Sequence, residues 1–441
     1  MYTIEAILVF QNFFSSVLNG IIENHRTCGY NAPFILITAI IVFNFILERV
    51  LDFLNSKNWS DKLPEEVSDV YDAEQYKKSQ QYKRVNDRFS LLTATFSFAL
   101  ILVVLTFHVF GYLDEVARTV TQNPIWVALL FFSIIMFASD VINTPFALYD
   151  VFVIEERFGF NKTTVATFFL DKVKGWFIAA VLGGGITALI IWFYLLTKQM
   201  FWVYAWILVS AVMIFITMFY STIIVPLFNK QRPLEEGPLR DAINEFSRKV
   251  GFQLDNIFVI DGSKRSTKAN AYFTGLGPKK RIVLYDTLIN DLTEEEIVAV
   301  LAHEIGHYKM KHSITNILLG IIQTGITLYI FSLFTVNPRL SWALGAKVHS
   351  IHMVILAFGV IYSPISTVVG LSLNILSRVH EYQADRYAKK HYNADYLISA
   401  LKKLSSNNLS NLTPNSAYVF FHYSHPTLLQ RIRALKSKDS D

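Results

Sequence analysis

Seven long apolar stretches, near 34–54, 89–113, 124–147, 175–197, 201–225, 314–335 and 348–374, decide the solvent of this chain. A helix needs about 20 mostly apolar residues to cross the hydrocarbon core of a bilayer, and each stretch is long enough. Of the 441 residues, 52% are hydrophobic and only 17% charged, too apolar a balance for a water-soluble enzyme of this size. Lipid offers the backbone no hydrogen-bond partners, so such stretches fold as helices. The expected fold is therefore mainly α, a polytopic membrane protein with seven transmembrane helices. The segment 4–22 is also fairly apolar, but Gln11, Asn12, Ser15, Ser16 and Asn19 make it read as an interfacial or lumenal helix. It lacks the basic start of a cleavable signal.

Lys and Arg orient such a bundle, because basic loops stay in the cytoplasm. Loop 55–88 carries Lys57, Lys62, Lys77, Lys78, Lys83, Arg84 and Arg88, whereas the next loop, 114–123, has only Arg118. The alternation persists. Arg157, Lys162, Lys172 and Lys174 lie in 148–174, and only Lys198 lies between the fourth and fifth spans. The stretches 226–313 and beyond 375 are rich in both residues, and 336–347 holds only Arg339 and Lys347. An N-terminus outside and a C-terminus in the cytoplasm satisfy every loop, in either a bacterial plasma membrane or the endoplasmic reticulum. Those loops also account for the net charge of +5. With no recognition module and no basic stripe interleaved with aromatics, nucleic acid is not an expected partner.

Chemistry enters at His303-Glu304-Ile305-Gly306-His307. The run Glu294 to Ala302 leads into it without Pro or Gly, so it sits on a helix and both imidazoles share one face, able to grip one metal ion. Glu304 lies about 100° round from His303, placed to act as a base on water rather than as a ligand. The single cysteine, Cys28, excludes a thiolate cage and leaves His and carboxylate ligands. A catalytic zinc takes three protein ligands and keeps a fourth position open, so one Zn²⁺ per chain requires a third ligand. A metzincin-type histidine would fall at 313, which is Ser313, and Met310 replaces the glycine that pattern requires. His312, five residues past His307, lies about 140° round the helix and out of reach. Glu381, in the helical stretch Ser377 to Asp385 beyond the seventh span, is the better candidate, with Asp385 one turn on to hydrogen-bond a ligand histidine. His380 is its rival, and a solvated helix face with Glu381 paired to Arg378 is the bland alternative.

Before that helix, Pro238 to Val250 reads as an amphipathic helix, and Ile257–Ile260 and Arg281–Tyr285 as short strands around the turn 275–278. A small sheet thus precedes the metal helix, in a small α+β cytoplasmic zinc-protease domain whose edge strand can hold an extended substrate. The chain divides into an N-terminal segment 1–33, spans one to five with their basic loop in 34–225, a protease segment 226–313, spans six and seven in 314–374, and C-terminal helices 375–441 carrying the third ligand. Glu48, His108, Asp140, Asn143, His349, His352 and Asn374 fall in or at the ends of spans. Ionisable groups at membrane depth face a bundle interior or a wet cavity, so the helices are expected to surround a water-containing chamber connected to the zinc site.

Several stretches together carry a resemblance: Phe152 to Asn161, Pro226-Leu227-Phe228-Asn229-Lys230, Arg265-Ser266 with Asn270-Ala271-Tyr272-Phe273, the metal helix, Arg378 to Asp385, and His425-Pro426-Thr427 with Arg431. In these, over nearly its full length, the chain resembles the integral-membrane CAAX prenyl endopeptidases, seven-span zinc metalloproteases. The resemblance implies a large water-filled chamber within the helices and cleavage near the C-terminus of isoprenylated substrates. The implied partners are a peptide or protein with a lipidated C-terminus and the bilayer, with no oligomer required. It further implies that Asn270 and His425 hold the substrate and its developing oxyanion, a task suited to an amide and an imidazole. Arg431 would neutralise a carboxylate at the site or brace the C-terminal helix. Two rivals stand beside this reading. One is a quality-control protease of the heat-shock membrane type with no prenyl requirement, although that family is shorter with fewer spans. The other is a channel or transporter with a structural zinc, against which the incomplete ligand set, the free Glu304 and the lack of a repeat all argue.

Overall fold

The computed structural model describes residues 32–59, 63, 65, 68, 73–252, 257–274 and 281–437. The expected interfacial helix 4–22, Cys28 and the turn 275–278 lie outside the described residues. The first two membrane helices are α1 (Ala32–Lys57) and α2 (Ala73–Thr106). The second span was expected over 89–113; α2 instead begins within the basic loop and stops at Thr106. His108 there takes a left-handed backbone, φ 51°, and a separate helix, α3 (Val109–Val120), follows. In α4 (Pro124–Tyr149) the Asn123 carboxamide accepts the Ile125 N–H at 2.9 Å, and Pro124 sits where a missing N–H costs nothing.

One helical run of 64 residues, Val165–Phe228, contains α5 (Val165–Ile178), α6 (Gly185–Thr197) and α7 (Phe201–Phe219). It breaks at Lys198–Met200, where Lys198 has φ 50°, and α7 packs on α6. Among the described residues six helices are long and apolar enough to cross a membrane; taking the two arms of the longest separately gives the seven expected spans. Only 6% to 22% of their most apolar stretches is buried within the protein, as suits helices whose outer faces meet lipid.

Most of the polar residues singled out in the spans find partners, whereas the buried Nδ1 of His108 has none among the described residues. Asp140 pairs with Lys172 at 2.6 Å, Glu48 with His422 at 3.4 Å, and buried His352 with buried Asp114 at 2.8 Å. His349 Nε2 meets the Thr335 carbonyl at 2.9 Å, and Asn143 and Asn374 donate to the carbonyls of Ser139 and Phe421.

Along the chain, after α7, comes a four-stranded sheet in the order β1-β2-β4-β3, built from β1 (Gln231–Pro233), β2 (Ile257–Ile260), β3 (Ala271–Thr274) and β4 (Arg281–Tyr285), with α8 (Pro238–Lys249) following β1. The two strands expected from the sequence are present as β2 and β4, but β3 intervenes between them in the chain and they pair parallel; β1 and β3 flank them antiparallel. Ile282, Val283 and Leu284 of β4 are at most 1% exposed, as befits a strand covered on both faces. Beyond the sheet come α9 (Asp286–Asp291), the metal helix α10 (Glu294–Lys309), the membrane helix α11 (His312–Phe334), α12 (Arg339–Ala343) and the 41-residue α13 (Ile351–His391). Three short helices end the chain: α14 (Ala394–Asn407), α15 (Ser416–His422) and α16 (Leu428–Lys436).

One apolar core joins these parts, with Ile243, Ile282, Leu284, Ile297, Leu397 and Ile432 among its members, so α14 and α16 hold α10 against the sheet. The start of α10 is fixed by a capping box in which Thr293 Oγ1 accepts the Glu296 N–H and Glu296 accepts the Thr293 N–H at 2.8 Å. Glu296, 3% exposed, also accepts from Ser399 at 2.6 Å and Lys403 at 2.8 Å, tying α10 to α14. Glu296→Ala strands that lysine and the cap together and is expected to cost about 2–3 kcal/mol. Thr293→Ala loses only the cap, about 1 kcal/mol. Thermal unfolding in detergent ranks the two.

Candidate metal centre

At about 1.5 Å per residue, the 41-residue α13 is roughly 60 Å long, about twice the hydrocarbon thickness. It continues past the length of a span as one helix, with Pro364 inside it, and carries Glu381 and Asp385 to α10. The two helices approach closely because Gly306 has no side chain. A Cβ there would lie 3.1 Å from the Tyr387 Cβ and 3.2 Å from the Ala384 Cα. Thus the third residue after His303 sets how near Glu381 comes.

That contact assembles the donors. His303 Nε2 and His307 Nε2 are 3.1 Å apart, and Glu381 places Oε2 3.5 Å from the first and Oε1 3.2 Å from the second. Donors at about 2.0–2.1 Å from a tetrahedral ion stand roughly 3.3 Å from one another, so these separations fit one metal. His303, His307 and Glu381 are the group among the described residues that could hold a metal ion, and His303 and Glu381 are buried. Two imidazoles and a carboxylate suit an ion that keeps a position open. His380, the rival ligand, instead stacks on His312 with ring centroids 3.9 Å apart. Nor does Arg378 pair with Glu381; it donates to the carbonyls of Val419 and Tyr423, fastening α13 to α15 and the residue that follows it.

Asp385 meets the other face of His303, Oδ1 to Nδ1 2.8 Å. Arg431, at the start of α16, clasps Asp385 with Nε at 2.9 Å and Nη2 at 2.5 Å, and its Nη1 is 3.6 Å from Glu381. It therefore faces both carboxylates and also ties α16 to α13. Glu304 is partly buried beside the donors, and burial raises its pKa above the usual carboxylate value, although the two imidazoles oppose the shift. His425, with its side chain 61% exposed, has Nδ1 3.4 Å from Glu381 Oε1.

Asn270 does not join this cluster of contacts. It is exposed at the head of edge strand β3, which packs beside α10, and its side chain accepts from the Ala271 N–H at 2.8 Å. Two residues with no role assigned from sequence stand behind His307: His312, 2.9 Å from its Nδ1, and Gln383, 2.8 Å from His312 Nε2. The expectation that His312 lies 140° round the same helix is corrected: that helix ends at Lys309, and the left-handed Lys311 brings His312 to the back of the His307 ring rather than to the metal side.

Comparison with known proteins covers the whole of this architecture. Residues 52–230 match the CAAX prenyl protease N-terminal family, described as five membrane helices, and residues 233–439 match peptidase family M48. CAAX prenyl protease 1 of Saccharomyces cerevisiae is 34% identical, over 92% of this chain and 96% of its own length. The CAAX prenyl protease 1 homolog of Homo sapiens is 30% identical, over 85% of this chain and 89% of its own. The crystal structure of S. mikatae Ste24p superposes with a TM-score of 0.87 at 33% identity, covering 92% of this chain and 99% of that one.

Proposed function

Because the chain belongs to the CAAX prenyl protease group of peptidase family M48 and is a multi-pass membrane metallopeptidase, we propose that His303, His307 and Glu381 hold one Zn²⁺ beside Glu304 as general base. The observation that carries this is the donor group, in which the two Nε2 atoms are 3.1 Å apart and the Glu381 carboxylate meets His307 with Oε1 at 3.2 Å and His303 with Oε2 at 3.5 Å, next to a carboxylate that is not part of it. Zinc, when bound there, supplies a Lewis acid to the attacking water and the scissile carbonyl. Glu304 takes the proton from that water and delivers it to the leaving amine. Asp385 accepts the Nδ1–H of His303 and so leaves Nε2 free to bind the metal, while Arg431 keeps Asp385 charged.

Edge strand β3 offers unpaired backbone groups to an extended peptide, and Asn270 and His425 supply hydrogen bonds to the developing oxyanion. Asn270→Ala and His425→Ala should each lower kcat by about 10²–10³, the usual loss for one oxyanion donor. Steady-state kinetics on metal-loaded protein checks this. In this reading 34–225 and 314–374 form the membrane body around a water-containing chamber, and 226–313 with 375–441 form the protease part at the cytoplasmic face. The N-terminus lies on the lumenal side. The relatives in S. cerevisiae and H. sapiens favour the endoplasmic reticulum over a bacterial membrane.

The substrate is a protein or peptide with an isoprenylated C-terminus, and the match of 52–230 to the CAAX N-terminal family favours it over a quality-control role. Family membership sets aside the channel and transporter reading. Digestion of matched prenylated and unprenylated C-a-a-X peptides, with mass spectrometry of the products and a chelator control, tests the assignment. The prenylated peptide should be cut near its C-terminus, the unprenylated one far more slowly, and neither in chelator. Equal rates would remove the lipid requirement, and an intact prenylated peptide would remove the substrate class.

A further inference from the structure

Zinc hydrolysis as drawn above leaves His312, a residue 4% exposed, without a task. It follows Lys311, whose left-handed backbone, φ 60°, turns the chain out of α10 and into α11. The turn carries His312 behind His307, ring centroids 5.0 Å apart and planes inclined by 73°, with the two Nδ1 atoms 2.9 Å apart. The opposite nitrogen of His312 lies 2.8 Å from Gln383 Oε1, and its ring face lies on His380 at an angle of 9°. His312 is therefore gripped at one edge and one face, with its remaining nitrogen presented to His307.

A neutral imidazole has one donating and one accepting nitrogen. His307 Nε2 faces Glu381 and His303, so its lone pair is the one offered to a metal and its proton sits on Nδ1. That proton is donated to His312 Nδ1, which obliges His312 to carry its own proton on Nε2 and donate it to the Gln383 carbonyl oxygen. Every link has a single direction. Filling space behind His307 would require only bulk, whereas two nitrogen contacts at hydrogen-bond distance require this arrangement of donors and acceptors.

We infer that His312, clamped by Gln383 and His380, is a positioning residue that fixes the tautomer and ring plane of His307 for metal binding. It does for the second imidazole what Asp385 does for the first, with a neutral acceptor in place of a charged one. The inference rests on His303, His307 and Glu381 being the metal ligands.

The test uses the purified chain in detergent, loaded with zinc or with cobalt, as parent, His303→Ala, His312→Leu, His312→Asn and Gln383→Leu. Release of zinc to a chromophoric chelator and the visible spectrum of the cobalt form are the readouts. His312→Leu should release zinc about 10–100 times faster than the parent, the usual cost of losing such a partner, and shift the cobalt bands. His312→Asn puts a carboxamide oxygen near the Nδ1 position and should recover most of the loss; Gln383→Leu should fall between. A zinc-holding parent whose release and spectrum are matched by His312→Leu overturns the inference alone, as does an Asn variant no better than Leu. A parent without zinc, or a His303→Ala variant that holds it as firmly as the parent, overturns the ligand reading itself. If the leucine variant fails to fold, comparison of the Asn and Gln383 variants with the parent decides the matter.

Discussion

Glu304→Gln protein is expected to keep its fold and its metal while losing about three to four orders of magnitude in kcat, the upper part of the range for general acid–base catalysis. Glutamine preserves the shape of the side chain but cannot take a proton from water. Glu304 stands outside the donor group of His303, His307 and Glu381, so removing its charge leaves the ligand set complete. The pH dependence should carry the same signature. Glu304 must be ionised to take a proton from water, so the base is lost as pH falls and the carboxylate is protonated. The parent's kcat/KM should therefore decline on the acid side, and the residual activity of Glu304→Gln should lack that limb. Metal content and kinetics measured on one preparation check both statements. A glutamine variant within tenfold of the parent would place the proton acceptor elsewhere.

Glu381→Ala should lose the metal itself, and with it all measurable turnover. Two imidazoles remain, one donor short of the three that a catalytic zinc site requires. The loss reaches further than coordination, because Glu381 also faces Arg431 at 3.6 Å, where its charge offsets that of the guanidinium, and lies 3.4 Å from His425. Gly306→Leu attacks the same geometry from the opposite helix: a side chain where a Cβ already meets Tyr387 and Ala384 pushes α13 off α10 and draws Glu381 away from the histidines. Both variants should show sub-stoichiometric metal by elemental analysis. A Glu381→Ala chain retaining one zinc would shift the third ligand to another residue.

What could be read in the sequence follows from the range of the interactions involved. Apolar runs long enough to span a bilayer are local features, and so are the one-turn spacings of His303 to His307 and of Glu381 to Asp385. Each was visible without any knowledge of the fold. The break at His108 was not, because Gly111, three residues on, lies inside α3 and no Pro or Gly stands at the break itself. It depends on a distant partner, Gly345, where a Cβ would lie 2.5 Å from the His108 Cβ. Strands β1 and β3 were likewise missed, being three and four residues long and defined by pairing with neighbours rather than by their own pattern. At the site, His312 meets Gln383 across 71 positions and Arg431 meets Asp385 across 46. No periodicity within one helix reports contacts of that kind. The resemblance to CAAX proteases pointed to Asn270 and His425 where their own surroundings in the sequence did not, and the fold places them differently, His425 against Glu381 and Asn270 on the sheet edge.

Stripping the purified chain with a strong chelator and titrating zinc back, while following cleavage of a prenylated C-a-a-X peptide, probes the central claim most directly. Activity should vanish on stripping, rise linearly with added zinc and level off at one ion per chain. Full activity in protein that elemental analysis shows to be metal-free would contradict it.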